Sequence, residues 1–429
     1  MNIRQERVAV IDGMRTPFAR AWTSLNGLGP VELSTIVARE LLFRNDVPLT
    51  EVQHVVWGTV LAVPRSPNVA REVALNLGMY RTPGVTVSRA CATGLQSVAS
   101  AFELIVTGQA DVVLAGGVDV TSDAPVVHKK AVIDQLQKAQ KAKGMDFLGT
   151  LAKINPLDLL PNPPALTERY TGKTMGEHAE DMAKYFAITR EEQEHYAEQS
   201  HAKAAQAIEA GKIESQIATI FHKGQEVKED NLVRFDVHKD MDRLRKKTPV
   251  FDRKNGTITA FTSSALTDGA ACVLLMAESK AKALGITPLG YVRSYAFPAL
   301  DPRENMLLGN VYACPEALDR AGLTLQEMDL IEVHEAFAAQ VLSNIKCFGD
   351  SQFFAEKLNR SQPLGEVDID RLNIWGGSIP YGHPFAATGG RIITNLLHGL
   401  RERDGQFGLA TACAAGGLGS AMVLERHSA

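Results

Sequence analysis

Gly84-Val85-Thr86-Val87-Ser88-Arg89-Ala90-Cys91-Ala92-Thr93-Gly94 is the stretch on which the reading of the chain turns. The β-branched run before the serine predicts a strand over 84–88. The apolar spacing after the glycine predicts a helix over 95–106. Cys91 therefore falls in a strand-to-helix turn, where unpaired backbone N–H groups and the positive end of the helix dipole favour a thiolate. The same place suits a small buried residue, because free cysteine is among the most buried residue types. The turn alone leaves both readings open.

Outward from this turn the chain alternates strand and helix. Strands are predicted over 8–11, 54–61, 84–88 and 111–115, with a turn at 12–17 and a stop at Gly116-Gly117. Helices are predicted over 31–43, 69–77 and 95–106. Such alternation predicts a mostly parallel sheet covered on both faces. From Thr121 to about Thr248 the pattern breaks into a polar helical stretch with no convincing strand, read as an insertion. It resumes near 257–260, with Asp268-Gly269 as a turn and a fifth strand over 271–276. A second series then follows, with strands over 290–295, 330–333, 372–375, 408–412 and 421–424 and helices over 314–321, 337–348 and 387–400. Thr93-Gly94 opens a helix in the first series and Thr388-Gly389 opens one in the second. A duplicated unit explains this more simply than two unrelated domains. The expected division is 1–121 with 249–284 as an N-terminal half, 122–248 as an inserted loop domain, and 285–429 as a C-terminal half.

The chain has 429 residues, too many for one ordinary core. Its net charge of −4 gives no global reason to expect nucleic acid as a partner. The five cysteines are odd in number and lack CxxC or Cys/His zinc spacing, so neither a disulfide framework nor a metal site is expected. Cys272, Cys314 and Cys347 lie in apolar runs and read as core. Wide spacing fits a reducing compartment. The start of the chain runs almost at once into a strand and no apolar stretch is long enough to span a bilayer. The expectation is a cytoplasmic protein without signal peptide, transit peptide or membrane span.

The second half carries three stretches in which small residues flank reactive ones. His334 follows a strand in Val333-His334-Glu335-Ala336-Phe337. His383 lies between a glycine turn and a helix start in Tyr381-Gly382-His383-Pro384-Phe385-Ala386-Ala387-Thr388-Gly389. Cys413 ends a strand before the turn Ala414-Ala415-Gly416-Gly417. Ligand sites in parallel sheets collect at the carboxyl ends of strands, where Cys91, His334, His383 and Cys413 all fall. An imidazole can take a thiol proton. A second thiol suits a carbon acid that gains or loses a proton. A further histidine, or N–H groups of the glycine turns, can hold an oxyanion. Together these parts suit C–C bond chemistry on a thioester through an acyl-enzyme.

The chain resembles the thiolases, and within them the 3-ketoacyl-CoA thiolases that form the β subunit of fatty-acid oxidation (trifunctional-type) complexes. The likeness is carried by Ser88 to Gly94, by His334-Glu335-Ala336-Phe337-Ala338, by Gly382 to Gly389 and by Cys413 to Gly419, in that order along the chain. It implies a five-layered α/β/α/β/α thiolase fold, duplicated, with an inserted helical loop domain. It implies thiolysis of 3-ketoacyl-CoA by CoA, with CoA as substrate and no cofactor. Cys91 is then the acylated nucleophile, His383 its base, and Cys413 the acid–base residue for the carbon proton. His334 and His383 serve one oxyanion hole, the backbone N–H groups of Cys91 and Ala415 the other. Many thiolases have Asn in place of His334 and glycine in place of Ala415, and the alanine needs a backbone conformation it can adopt. Ser264, in a segment similar to the family's pantetheine loop, and His178 are expected near the CoA arm. Arg243 and Lys246, in the basic run 243–247, are candidates for its phosphates, against a solvated-loop reading.

Within the stretch 128–160, residues 128–143 carry five lysines and an apolar face of Val132, Ile133, Leu136 and Ala139, continued by Phe147, Leu148, Leu151 and Ile154. It reads either as a lid or as a surface for a membrane or partner. The resemblance implies a homodimer or higher oligomer and admits a hydratase/dehydrogenase α subunit as partner. Rival activities are acetoacetyl-CoA synthesis by condensation, a ketoacyl synthase, and a non-catalytic lipid-binding or scaffold subunit. A ketoacyl synthase has no thiol matching Cys413, which argues against it.

Overall fold

A computed structural model describes residues 4–159 and 167–428. The outermost residues of the two expected halves, and Leu160 of the 128–160 stretch, lie outside the described residues.

Twelve strands are described: β1 (Val8–Arg15), β2 (Ala19–Arg20), β3 (His54–Gly58), β4 (Gly84–Val87), β5 (Val112–Val120), β6 (Ile220–His222), β7 (Gln225–Val227), β8 (Thr267–Ala277), β9 (Gly290–Ala296), β10 (Leu330–Val333), β11 (Phe407–Ala414) and β12 (Leu418–Arg426). In the first half the order is β4-β3-β5-β8-β1. β4, β3 and β5 are parallel, whereas β8 runs antiparallel to both β5 and β1. In the second half the order is β10-β11-β12-β9, with β10 and β11 parallel and β12 antiparallel to both neighbours. Beyond β10 a single parallel bridge from Ile331 to Leu372 stands where β4 stands in the first half. The two arrangements correspond strand for strand. Their first strands, β1 and β9, pair antiparallel and join the halves into one continuous sheet.

Three apolar clusters separate the layers. One packs helices Pro30–Arg44 and Val69–Asn76 on the outer face of the first half, through Leu33, Val37, Leu41 and Val73. Another packs Gly309–Ala321 and Ala338–Phe348 on the outer face of the second half. Between them lie helices Thr93–Val106 and Thr388–Arg403, whose Leu95, Val98, Ile392 and Leu396 meet strands from both halves. The sequence is helix, strand, helix, strand, helix, which gives the five layers expected.

The two central helices touch through the paired Thr-Gly dipeptides. A Cβ on Gly389 would lie 2.4 Å from Leu95 N, and one on Gly94 would lie 2.6 Å from Ala386 O. Only glycine permits this approach.

Several boundaries differ from the sequence reading. The sheet is mixed rather than mostly parallel, because the last strand of each half returns antiparallel. β5 does not stop at Gly116-Gly117. It runs through them, since side chains there would strike the Trp57 ring at 2.6 Å and Ala386 O at 2.1 Å. β1 continues past Ile11 through a bulge instead of turning. Asp268-Gly269 lies inside β8 rather than in a turn. The expected strand at 372–375 is reduced to one bridge, and 257–260 is not a strand. The insertion holds the hairpin β6–β7, closed by Lys223 and Gly224 at φ 50 and 75, the left-handed pair that a two-residue hairpin turn needs.

Within the insertion, helices Met175–Tyr185 and Arg190–Glu209 begin with reciprocal capping boxes, Thr174/Glu177 and Thr189/Glu192. A buried ion pair ties the insertion to β1: Arg15 donates through both terminal nitrogens to Asp230 at 2.6 and 2.7 Å.

Candidate active site

The Cys91 turn is built by its own neighbours. Thr93 Oγ1 accepts from Arg89 N–H at 2.7 Å and donates to Ala90 O at 2.6 Å. Ala90 is held at φ 45, in the left-handed region that costs an alanine about 1–2 kcal/mol. Cys91 retains partial solvent contact, while the other four cysteines are buried. Burial still pushes its thiol up to about 12, opposed by hydrogen bonds from Ala415 N–H and from its own N–H, while the Asp119 carboxylate adds to the rise. Ala415 follows β11. The left-handed positions of its turn fall on Gly416 and Gly417, at φ 81 and 69, so the alanine needs no unusual backbone conformation.

His334 and His383 come from different loops and lie side by side, with ring centroids 4.0 Å apart and ring planes tilted by 36°. His334 extends the β10–β11 ladder by donating its N–H to Thr411 O at 2.8 Å. His383 is fixed by donating its N–H to Ala265 O at 3.1 Å. A ring nitrogen of each and the Cys91 sulfur all lie within 4.8 Å of one another. Both Nδ1 atoms are engaged, His334 with Ser378 Oγ at 2.8 Å and His383 with Thr388 Oγ1 at 2.7 Å. Both Nε2 atoms are buried without a protein partner. Burial, with the Arg391 charge added, holds His383 down to about 3. Burial, His383 and Arg391 hold His334 well below its ordinary range. Both imidazoles are neutral at neutral pH. One can accept a proton and the other can donate a hydrogen bond.

Cys413 lies near the end of β11, opposite Gly419. Burial raises its thiol above the ordinary range, and a charge on Cys91 raises it further. The two thiols thus sense each other, and both rest protonated.

Three residues that sequence reasoning did not assign hold this arrangement. Asp119, on β5, accepts from Ala386 N–H at 2.8 Å and from Leu61 N–H at 2.7 Å, tying the His383 loop to the first half. Burial raises its carboxyl to about 7. Glu335 is fully buried and accepts from Tyr196 Oη, Ser200 Oγ, Asn373 Nδ2 and Ile379 N–H. It binds the insertion to the loop that carries His334. Arg391, also buried, donates to Ser378 Oγ at 3.1 Å and lies 3.7 Å from Glu332. A local signal existed only for Glu335, which adjoins His334; Asp119 lies past the expected stop at Gly116-Gly117, and Arg391 lies inside a predicted helix.

The expected CoA-arm residues divide. Ser264 donates N–H and Oγ to Ala336 O at 3.0 and 3.1 Å, and neighbouring Ala265 accepts from His383. The Ser264 loop therefore bridges the two histidine loops. Beside it opens a cavity of about 420 Å³ lined by Ser263, Ala265, His201, Phe261 and the cations Arg20, Arg234 and Lys247. Arg243 is exposed and paired with Asp240, and Lys246 is exposed; neither lines this cavity, whereas their neighbour Lys247 does. His178 is buried with Nε2 2.7 Å from Thr171 Oγ1. A larger cavity of about 610 Å³, lined by Arg44, Ser215 and Lys228 among others, lies apart from the paired thiols and histidines.

Residues 8–279 match the family description "Thiolase, N-terminal domain", and residues 286–426 match "Thiolase, C-terminal domain". The chain belongs to the thiolase family. It is 48% identical over 424 residues to a 3-ketoacyl-CoA thiolase of Klebsiella pneumoniae, covering 98% of this chain and 97% of that protein. It is likewise 48% identical over 425 residues to a 3-ketoacyl-CoA thiolase of Escherichia coli K12, with the same coverage. Among solved thiolase-fold structures, Bacillus anthracis acetyl-CoA acetyltransferase superposes with a TM-score of 0.84 at 31% identity, over 100% of both chains. Human mitochondrial 3-ketoacyl-CoA thiolase in complex with CoA also gives 0.84 at 31% identity, over 98% of both chains.

Proposed function

We propose that this thiolase cleaves 3-ketoacyl-CoA with CoA, giving acetyl-CoA and a shortened acyl-CoA. The observation that carries the reading is the pairing of two thiols with two neutral histidines across the two halves. Cys91 gives its proton to Nε2 of His383 and attacks the 3-keto carbon. The backbone N–H groups of Cys91 and Ala415 hold the oxyanion of the tetrahedral intermediate. The C2–C3 bond breaks and acetyl-CoA leaves as an enolate, held by His334 and by the protonated His383. Cys413 donates its proton to C2 and is restored by the proton on His383. The CoA thiol then gives its proton to His383 and attacks the acyl group, and Cys91 leaves as a thiol. A resting thiol near 12 suits this scheme, because the thiolate forms only as the bond to carbon forms. No cofactor is called for; CoA is a substrate.

The cavity beside Ser264 suits the CoA arm, with Arg20, Arg234 and Lys247 facing its phosphates. Arg243 and Lys246 serve at most in long-range attraction, and His178 as support for the adjoining helix. The catalytic division rests on two thiolase halves, 1–121 with 249–284 and 285–429, and a loop domain at 122–248. We further propose that the chain works as a homodimer or larger assembly. Residues 128–159 would serve a partner such as a hydratase/dehydrogenase subunit or a membrane surface. Leu136, Met145, Phe147, Leu148, Leu157 and Leu159 are exposed there. No described helix is long and apolar enough to cross a membrane.

The same groups run the reverse condensation of two acetyl-CoA. Thiolysis rates with short-, medium- and long-chain 3-ketoacyl-CoA, against the condensation rate, with and without any co-purifying protein, separate the two. Rates that rise with chain length support the degradative reading; condensation faster than every thiolysis rate supports the reverse.

A further inference from the structure

We propose that Arg391 is a positioning residue that makes the two adjacent histidines unequal: acting through Ser378, it fixes His334 as a proton donor at Nε2 and leaves His383 free to be the acceptor. The proposal rests on the thiolysis reading above.

The two imidazoles have nearly the same surroundings. Both are buried, their rings are 4.0 Å apart, and each Nδ1 meets a hydroxyl. A hydroxyl has one hydrogen and two lone pairs, so it either donates to an Nδ1 or accepts from it. The chemistry needs opposite answers. His383 must present a bare Nε2 to take the Cys91 proton, whereas His334 must carry hydrogen on Nε2 to hold an enolate oxygen.

Arg391 breaks the tie because a guanidinium only donates. Its Nη2 donates to Ser378 Oγ at 3.1 Å. Among the described residues, the remaining partner of Ser378 Oγ is His334 Nδ1. A donor arriving at Oγ turns the Ser378 hydrogen away from the guanidinium and toward Nδ1, the partner that remains. His334 must then hold its own hydrogen on Nε2, the atom that faces the site without a partner. Thr388 has no such incoming donor. Its Oγ1 meets His383 Nδ1 alone among the described groups, so no donor orients the hydroxyl and its lone pairs stay open to an Nδ1–H.

Arg391 has little other side-chain bonding. Glu332 is 3.7 Å away, beyond hydrogen-bond range, and Nε and Nη1 have no protein partner. A buried cation kept beside so loose a counter-ion stabilises little by itself. Helix Thr388–Arg403 supplies Thr388 to one histidine and Arg391 to the partner of the other.

The test measures thiolysis of acetoacetyl-CoA by Ser378→Ala, Arg391→Gln and Arg391→Lys, in the native and in the His334→Asn backgrounds. In the native background Ser378→Ala and Arg391→Gln should lower kcat by roughly 10- to 100-fold, by analogy with the cost of losing a residue that orients a metal-bound imidazole. KM should change little, and Arg391→Lys, which keeps a donor, should recover part of the loss. With His334→Asn, whose amide donates without a tautomer choice, the Ser378→Ala and Arg391→Gln losses should disappear. Losses that persist undiminished there, or a Ser378→Ala enzyme with native kcat, would overturn the proposal. Ser378→Ala deletes one oxygen and serves if the arginine variants do not fold. Histidine 15N spectra of the unsubstituted protein give a second readout. His334 should be protonated on Nε2 and unprotonated on Nδ1, and the opposite pattern overturns the relay. Because spectra need no turnover, a native protein without thiolysis activity would refute the function and leave the relay to be judged by its tautomer.

Discussion

Gly389→Ala tests whether the two halves are held at the distance the chemistry needs. The new methyl would lie 2.4 Å from Leu95 N and 2.5 Å from Gly94 C, where ordinary contacts begin at 3.4 Å. Both neighbours are backbone, so no side chain can swing aside, and the central helices must part by about 1 Å. Overpacking of this kind costs about 1–3 kcal/mol. An alanine without steric conflict inside a helix would instead gain up to about 1 kcal/mol over glycine. The sign of the change therefore separates the two cases. Cys91 lies just before Gly94 and His383 just before Gly389, so the same displacement separates the proposed nucleophile from its proposed base, and a misplacement of about 1 Å can cost roughly 100-fold in rate. Urea denaturation and thiolysis kinetics are the assays. Gly149→Ala, in helix Met145–Leu151 with no atom within 4 Å of the new methyl, is the control and should be neutral or stabilising. A Gly389→Ala protein as stable and as active as the unsubstituted one would refute the packing argument.

Cys413→Ala should abolish thiolysis while sparing exchange of labelled CoA into acyl-CoA, because exchange moves no carbon proton; equal loss of both would remove Cys413 from the carbon step. With its thiol at about 12 and His383 at about 3, Cys91 rests as a neutral pair. Its alkylation by iodoacetamide should rise about tenfold per pH unit from 6 to 9, and a plateau near pH 7 would mean a thiolate–imidazolium pair instead. The same depressed pKa makes His383 cost stability in acid: its unfolded form binds a proton below about 6.5 and its folded form only near 3, so folding weakens as pH falls through that window, and His383→Asn should flatten the slope. Removal of 129–159 should leave kcat unchanged and weaken co-purification with a partner or binding to anionic liposomes; unchanged association would remove this surface from the assembly.

Much of the site was legible because its residues sit where strands end. Cys91, His334, His383 and Cys413 follow or end predicted strands, and the repeated Thr-Gly marked the two helices that meet at the centre. What was not legible depends on long-range contacts. Gly116 and Gly117 look like a stop, yet they are there to admit Trp57 and Ala386, which lie far away in sequence. Asp119 lies past that expected stop and Arg391 inside a predicted helix, and only the fold reveals the loop amides and the serine they serve. The basic run 243–247 was visible, but which cation borders the cavity depends on the turn after helix Val237–Leu244, which leaves Lys247 on the cavity's rim and Arg243 paired with Asp240.

The central claim is that Cys91 is acylated and that a second thiol, from the other half of the chain, handles the carbon proton. Mass spectrometry of the protein quenched during turnover of a 3-ketoacyl-CoA with limiting CoA tests it most directly. The account predicts one acyl group on the peptide containing Cys91, none on that containing Cys413, and its discharge on addition of CoA. An acyl group on Cys413, or thiolysis that continues in a Cys91→Ala protein, would contradict it.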